Sequence, residues 1–180
     1  VDTIVFDKTG TLTDGEMAVT EVVPGERGDE GALLARASAV EQYSEHPVAD
    51  AVVAAAGERG VGPGSDAGGE TGGEAGVEGF ERHTRGVSGV VDGERVVVGH
   101  PDLLREQGQA IPADLDARIK AIRARGDVPV VVGSGETASG VIAVGDRPRP
   151  EWEHVVPTLA ADHRIVVLTG DDGTAADRLR

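Results

Sequence analysis

The apolar run Thr3-Ile4-Val5-Phe6 ends on Asp7, and Lys8-Thr9-Gly10-Thr11-Leu12-Thr13 follows at once. A short run without alternation describes a strand covered on both faces, as in a parallel sheet. An acid at the carboxyl end of such a strand stands where ligands and chemistry collect in open α/β sheets. The glycine and small hydroxyl residues after it let backbone N–H groups close around phosphoryl oxygens, with the carboxylate held against phosphorus. The same residue types also make ordinary turns. Near the other end, Ile165–Leu168 is a second wholly apolar strand, leading into Thr169-Gly170-Asp171. If both strands share one parallel sheet, most of the intervening chain is an insertion.

The intervening pattern is of another kind. Ala18–Val23 reads as a strand closed by Pro24-Gly25, and Glu30–Gln42 as a helix with Leu33, Leu34, Ala37 and Val40 at helical spacing. A helix over Pro47–Glu58 starts with proline at its first position, which puts His46 at the N-cap; its apolar stripe is Val48, Val52, Ala55 and Ala56. Short strands follow at Phe80–His83, Gly86–Val91 and Arg95–Val98, the last two joined by the hairpin pair Asp92-Gly93. Helices are expected at Pro101–Gln107 and Pro112–Arg125, with Leu115, Ile119 and Ile122 inward. Val128–Val132 and Ala138–Val144 are strands around Gly133-Ser134-Gly135-Glu136, and a helix spans Glu151–Ala160. The order predicts an outer domain of residues 1–14 with 145–180 and an inserted domain of residues 15–144. Within the insert, the acidic, glycine-rich stretch 60–78 lacks the apolar surface to offset its ordering entropy and is expected to be a disordered loop.

Composition narrows the partners. Lys+Arg 17 against Asp+Glu 32 gives a net charge of −15, which repels nucleic acid and anionic membrane surfaces. Only two lysines occur, Lys8 and Lys120, and the acidic excess suggests a high-salt organism, the alternative being an ordinary acidic soluble domain. With no cysteine there is no disulfide, thiolate metal site or cysteine nucleophile. No stretch resembles a signal peptide and no apolar run approaches a membrane span, so a soluble segment is expected.

Two motifs together carry a resemblance. Asp7-Lys8-Thr9-Gly10-Thr11-Leu12-Thr13 resembles the phosphorylation signature of P-type ATPases, whose aspartate takes the γ-phosphate of ATP as a covalent intermediate. Ser44-Glu45-His46-Pro47, with Glu41 five residues before His46, is similar to the nucleotide-binding domain of the heavy-metal-transporting branch. Taken alone, a histidine at a helix start is usually structural. Thr84-Arg85-Gly86-Val87-Ser88-Gly89 resembles the family's glycine-rich turn with Thr84 in place of its first glycine, a change expected to narrow the cleft and weaken ATP binding. Val98-Gly99-His100 stands where the family has Gly-Asn before a helix. Asp146-Arg147-Pro148-Arg149-Pro150 resembles the hinge that returns to the outer domain, and Thr169-Gly170-Asp171 the family's Thr-Gly-Asp motif.

The resemblance implies a haloacid dehalogenase-like parallel sheet, partial here, with an inserted α+β nucleotide-binding domain of antiparallel strands and flanking helices. It implies ATP and Mg²⁺, with Asp7 as nucleophile, Lys8, Thr9 and Thr169 around the transferred group, and Asp7 and Thr9 at the metal. Glu41 and His46 would contact adenine. Gly86, Gly89, Thr11, Gly170, Asp171 and Asp146 would complete the nucleotide and phosphate contacts. The implied partners are ATP and the transmembrane and actuator domains of the same transporter, at the cytoplasmic face of the membrane, with no direct membrane contact from this segment. The family's further lysine and Gly-Asp-Gly-x-Asn-Asp segment are not among the 180 residues, so weak or no turnover is expected of this chain alone. Two rivals remain: a soluble phosphatase of the same superfamily, and a non-catalytic nucleotide-binding module. Against the phosphatase, Thr9 stands where those enzymes usually place a second aspartate as acid and base.

Overall fold

The structure is a computed structural model that describes residues 2–7, 13–26, 28–62, 76–148 and 152–168. In chain order the elements are β1 (Thr3–Asp7), β2 (Thr13–Pro24), α1 (Glu30–Glu41), α2 (Pro47–Glu58), β3 (Glu78–His83), β4 (Gly86–Val91) and β5 (Glu94–Gly99). They continue with α3 (Pro101–Glu106), α4 (Ala113–Ala124), β6 (Val128–Ser134), β7 (Thr137–Pro148), α5 (Trp152–Ala160) and β8 (Arg164–Leu168). Two compact units divide the chain: Val1–Met17 with Asp146–Arg180, and Ala18–Gly145.

In the first unit β1 and β8 pair in parallel, from Thr3 opposite Arg164 to Asp7 opposite Leu168. Parallel neighbours cannot be joined by a tight turn, and the long intervening chain supplies the connection. α5 packs on β8, and Trp152 meets Phe6 edge-on with ring centroids 4.9 Å apart.

The second unit is built on a six-stranded sheet in the order β2-β7-β6-β5-β4-β3, antiparallel at each step from β3 to β7. Asp92 (φ 51°) and Gly93 (φ 78°) close the β4–β5 hairpin with the positive dihedrals of a type I′ turn. Val97, Val131, Val141 and Ala143 pack against Leu103 and Leu104 of α3 and Leu115, Ile119 and Ile122 of α4. Successive strand side chains alternate, so Val96, Val98, Val132 and Ile142 face the opposite side, where α1 lies over β4 and β5. There Leu33, Leu34, Ala37 and Val40 are all buried, with Ala49, Val52 and Ala56 of the adjoining α2. The sheet is thus covered by helices on both faces.

Four details differ from the sequence expectations. β1, read as covered on both faces, leaves Val5 54% exposed. β2 and β7 are twelve residues each, longer than Ala18–Val23 and Ala138–Val144, because pairing with each other carries them through residues of low strand preference. The buried stripe of α2 includes Ala49 and leaves Val48 and Ala55 only half-buried, since α2 packs on α1 and not squarely on the sheet. Glu78, assigned by composition to the disordered loop, begins β3; residues 63–75 of that stretch lie outside the described residues.

Candidate nucleotide-binding cleft

One cleft of about 580 Å³ opens in the second unit, within the range of small-molecule sites. Its walls come from four places: the α1–α2 connection (Glu41, Ser44, Glu45, His46), the start of α2 (Val48, Ala49), the β3–β4 hairpin (Arg82 to Val87), and the ends of β5 and β6 (Gly99, His100, Val128, Pro129, Val130). Apolar side chains such as Val48, Val87 and Val130 and polar ones such as Glu41, Ser44 and His46 line it together.

Glu41 is the last residue of α1 and only 5% exposed. Burial pushes its carboxyl up to about 7, so near neutral pH it can either donate or accept a hydrogen bond. His46 is the N-cap of α2, with Pro47 at the first helical position. Its Nδ1 accepts from the Val48 N–H at 3.2 Å, which leaves Nε2 as the ring's donor. A carboxyl and an imidazole N–H lining one cleft with apolar side chains form a surface able to read the edge of a planar heterocycle and pack on its face.

Gly86 and Gly99 face each other across the β4–β5 pair. A Cβ on Gly86 would lie 2.1 Å from the Val98 carbonyl oxygen, and one on Gly99 would lie 2.2 Å from the Arg85 carbonyl oxygen. Neither position admits a side chain, because the facing strand's backbone, and at Gly86 also Leu103, fills that space; both glycines line the cleft without one. Thr84 lines the cleft in the hairpin turn. Its φ is not positive, so threonine is accommodated there without backbone strain.

His100 caps α3 on the far side of the cleft. Its Nδ1 accepts from the Asp102 N–H at 3.2 Å, and its Nε2 lies 2.8 Å from Arg123 Nη2. Burial, together with the Arg123, Arg85 and Arg105 guanidiniums, holds this imidazole below the usual histidine range against the opposing pull of Asp102. Arg85 and Arg105 both bind Asp102, at 3.1 and 3.0 Å.

The structure therefore brings Glu41, His46 and Gly86 to one cleft, although they come from separate segments. Gly89 lies elsewhere: it is buried on β4, and the space above its Cα holds Val77, with Val40 close by. It lines no part of this cleft, so the residue serves strand packing. Asp146 sits on β7, in the other unit. Asp7 ends β1 in register with Leu168, the last residue of β8. Lys8, Thr9, Thr11, Thr169, Gly170 and Asp171 themselves lie outside the described residues, and among the described residues no group of three or more His, Asp or Glu is placed to hold a metal ion. Sequence reasoning missed Arg82 and the Val128–Val130 lining. Their signal is the register that sets Gly99 opposite Val131, which no local pattern carries.

Comparison with known proteins agrees with this architecture. The model of the haloacid dehalogenase-like hydrolases matches residues 1–180, and the chain belongs to that family. It is 39% identical over 178 residues to the probable copper-exporting P-type ATPase V of Mycobacterium tuberculosis, covering 98% of this chain and 22% of that protein. The chain thus spans about a fifth of the length of the curated relatives it matches. The crystal structure of a zinc-transporting PIB-type ATPase in its E2.Pi state superposes with a TM-score of 0.73 at 30% identity, over 97% of this chain and 26% of that one. The N-domain of HMA6, a copper-transporting P-type ATPase, superposes with a TM-score of 0.55 at 25% identity, covering 72% of this chain and 99% of that domain. The chain is homologous to the catalytic part of these transporters. Among the described residues no helix is long and apolar enough to cross a membrane.

Proposed function

We propose that this chain is the ATP-binding and phosphorylation part of a heavy-metal-exporting P-type ATPase. The observation that carries the reading is the convergence of Glu41, His46, Gly86 and Gly99 on one cleft lined in part by apolar side chains. Residues 15–144 are the ATP-binding domain, and residues 1–14 with 145–180 belong to the phosphorylation domain. Glu41 and the His46 Nε2–H read the adenine edge, while Gly86 and Gly99, lining the cleft without side chains, let the rest of the nucleotide approach. The Asp7 carboxylate forms a bond to the γ-phosphorus as the bond to the bridging oxygen breaks, and ADP leaves. Lys8, Thr9 and Thr169 stabilise charge on the transferred group, and Asp7 and Thr9 would ligate a Mg²⁺ that neutralises phosphate charge. The phosphorylated parent protein works with its own membrane and actuator domains on the cytoplasmic side, and the acidic surface suits a high-salt cytoplasm.

The test is incubation with γ-labelled ATP followed by acid precipitation. A polypeptide extended through the family's lysine and Gly-Asp-Gly-x-Asn-Asp segments is expected to hold acid-stable label, and Asp7→Asn to abolish it. The 180-residue chain is expected to label barely, because much of the charge stabilisation in phosphoryl transfer comes from groups in those segments. Label that survives Asp7→Asn would overturn the nucleophile.

A further inference from the structure

Between Glu41 and His46 run the four residues Gln42-Tyr43-Ser44-Glu45, and this connection fixes how far apart the carboxyl and the imidazole stand. It is tied at its own ends, with the Ser44 N–H donating to the Glu41 carbonyl at 2.8 Å and the His46 N–H to Ser44 Oγ at 3.4 Å. Its middle is tied to β3. Arg82 Nη2 donates to the Tyr43 carbonyl at 2.9 Å, Arg82 Nη1 pairs with the Glu45 carboxylate at 3.5 Å, and the Tyr43 and Phe80 rings lie 5.5 Å apart. Phe80 and Arg82 are two apart on one strand and so share a face. The Glu81 and His83 side chains instead reach Arg95 and Ser88. β3 is the edge strand of its sheet, and it continues into the hairpin that presents Gly86.

We propose that Arg82 is a positioning residue for the nucleotide cleft, holding the Tyr43–Glu45 connection against β3 so that Glu41 and His46 keep their spacing opposite Gly86. This rests on the reading of the cleft as an adenine-nucleotide site. Arg82 also lines the cleft, and a direct contact with phosphate is the rival role. The two differ in what they do to ligands of different length. A guanidinium that acts through the connection affects adenosine, AMP and ATP alike, whereas a phosphate contact affects only the charged ligands and most of all ATP.

The experiment titrates adenosine, AMP and ATP calorimetrically into the wild-type chain and into Arg82→Gln, Arg82→Lys, Tyr43→Leu and His46→Ala. Arg82 is more than half exposed, so its replacement leaves the fold in place, checked by an unchanged melting temperature. Arg82→Gln is expected to weaken all three ligands by a similar factor, roughly three- to tenfold, the range of one hydrogen bond. Arg82→Lys, which keeps a donor for the Tyr43 carbonyl, recovers part of the loss. Tyr43→Leu, which keeps that carbonyl and removes the ring pair, weakens all three ligands to a smaller extent. A loss confined to AMP and ATP overturns the proposal in favour of direct contact. Unchanged affinities in Arg82→Gln with a weakened His46→Ala overturn it while leaving the nucleotide reading intact. Unchanged affinities in His46→Ala remove the nucleotide reading and this proposal with it.

Discussion

Glu41 concentrates the energetic tension of the cleft. A carboxyl that is 5% exposed and titrates near pH 7 keeps its proton in the fold well above the pH at which the unfolded chain loses it. Its stabilising contribution is therefore fully present below about pH 4.5 and is lost as pH rises through about 7. The full span is worth about 3 kcal/mol, since each tenfold change in proton affinity corresponds to roughly 1.4 kcal/mol. Glu41→Gln, neutral throughout, should match the wild type in urea unfolding near pH 4 and exceed it at pH 8; parallel pH profiles for the two proteins would contradict the assignment. Gly99 is constrained by space. Its Cβ would meet the Arg85 carbonyl oxygen at 2.2 Å and the Gly86 Cα at 2.8 Å, both backbone, at a φ of 154°. Neither obstacle can swing aside, so Gly99→Ala is expected to cost about 2–4 kcal/mol in urea unfolding and to spoil the cleft wall.

At the scale of elements, α4 gives a clean contrast between adjacent residues. Ile119 is 2% exposed in the cluster beneath the sheet, while Lys120 points outward and pairs with Asp116 one turn away. Ile119→Ala should cost about 2–5 kcal/mol, and Lys120→Ala about 0.5 kcal/mol or less; equal losses would mean that the helix is rotated. This helix was legible in the sequence because Leu115, Ile119 and Ile122 recur at its period. So were the hairpins, where the turn residues mark the reversals. The extra length of β2 and β7 was not legible. Gly15, Glu16, Asp146 and Pro148 disfavour strands locally, and only pairing between strands far apart in the chain overrides that preference. The same junction holds a polar clamp: Arg125 binds Glu21 and Asp127, and Thr20 donates to Asp127 at 2.9 Å.

At the scale of the whole molecule, the split of the first unit between the two ends of the chain was written in two apolar strands that pair in parallel residue for residue. The cleft was only partly written. Glu41 and His46 stood out through their spacing before Pro47, but Arg82 and Val128–Val130 join them only when the sheet order is known. Gly89 is the converse case, a glycine that fits a motif by sequence and a packing contact by geometry. The central claim is that this cleft takes the adenine of ATP, with His46 in its lining. Isothermal titration of ATP into the chain and into His46→Ala tests it most directly. The wild type is expected to bind, and His46→Ala to bind on the order of tenfold more weakly through lost ring packing and one lost hydrogen bond, with its melting temperature little changed. Equal affinity in the two proteins, or no binding of ATP by the wild type, would contradict it.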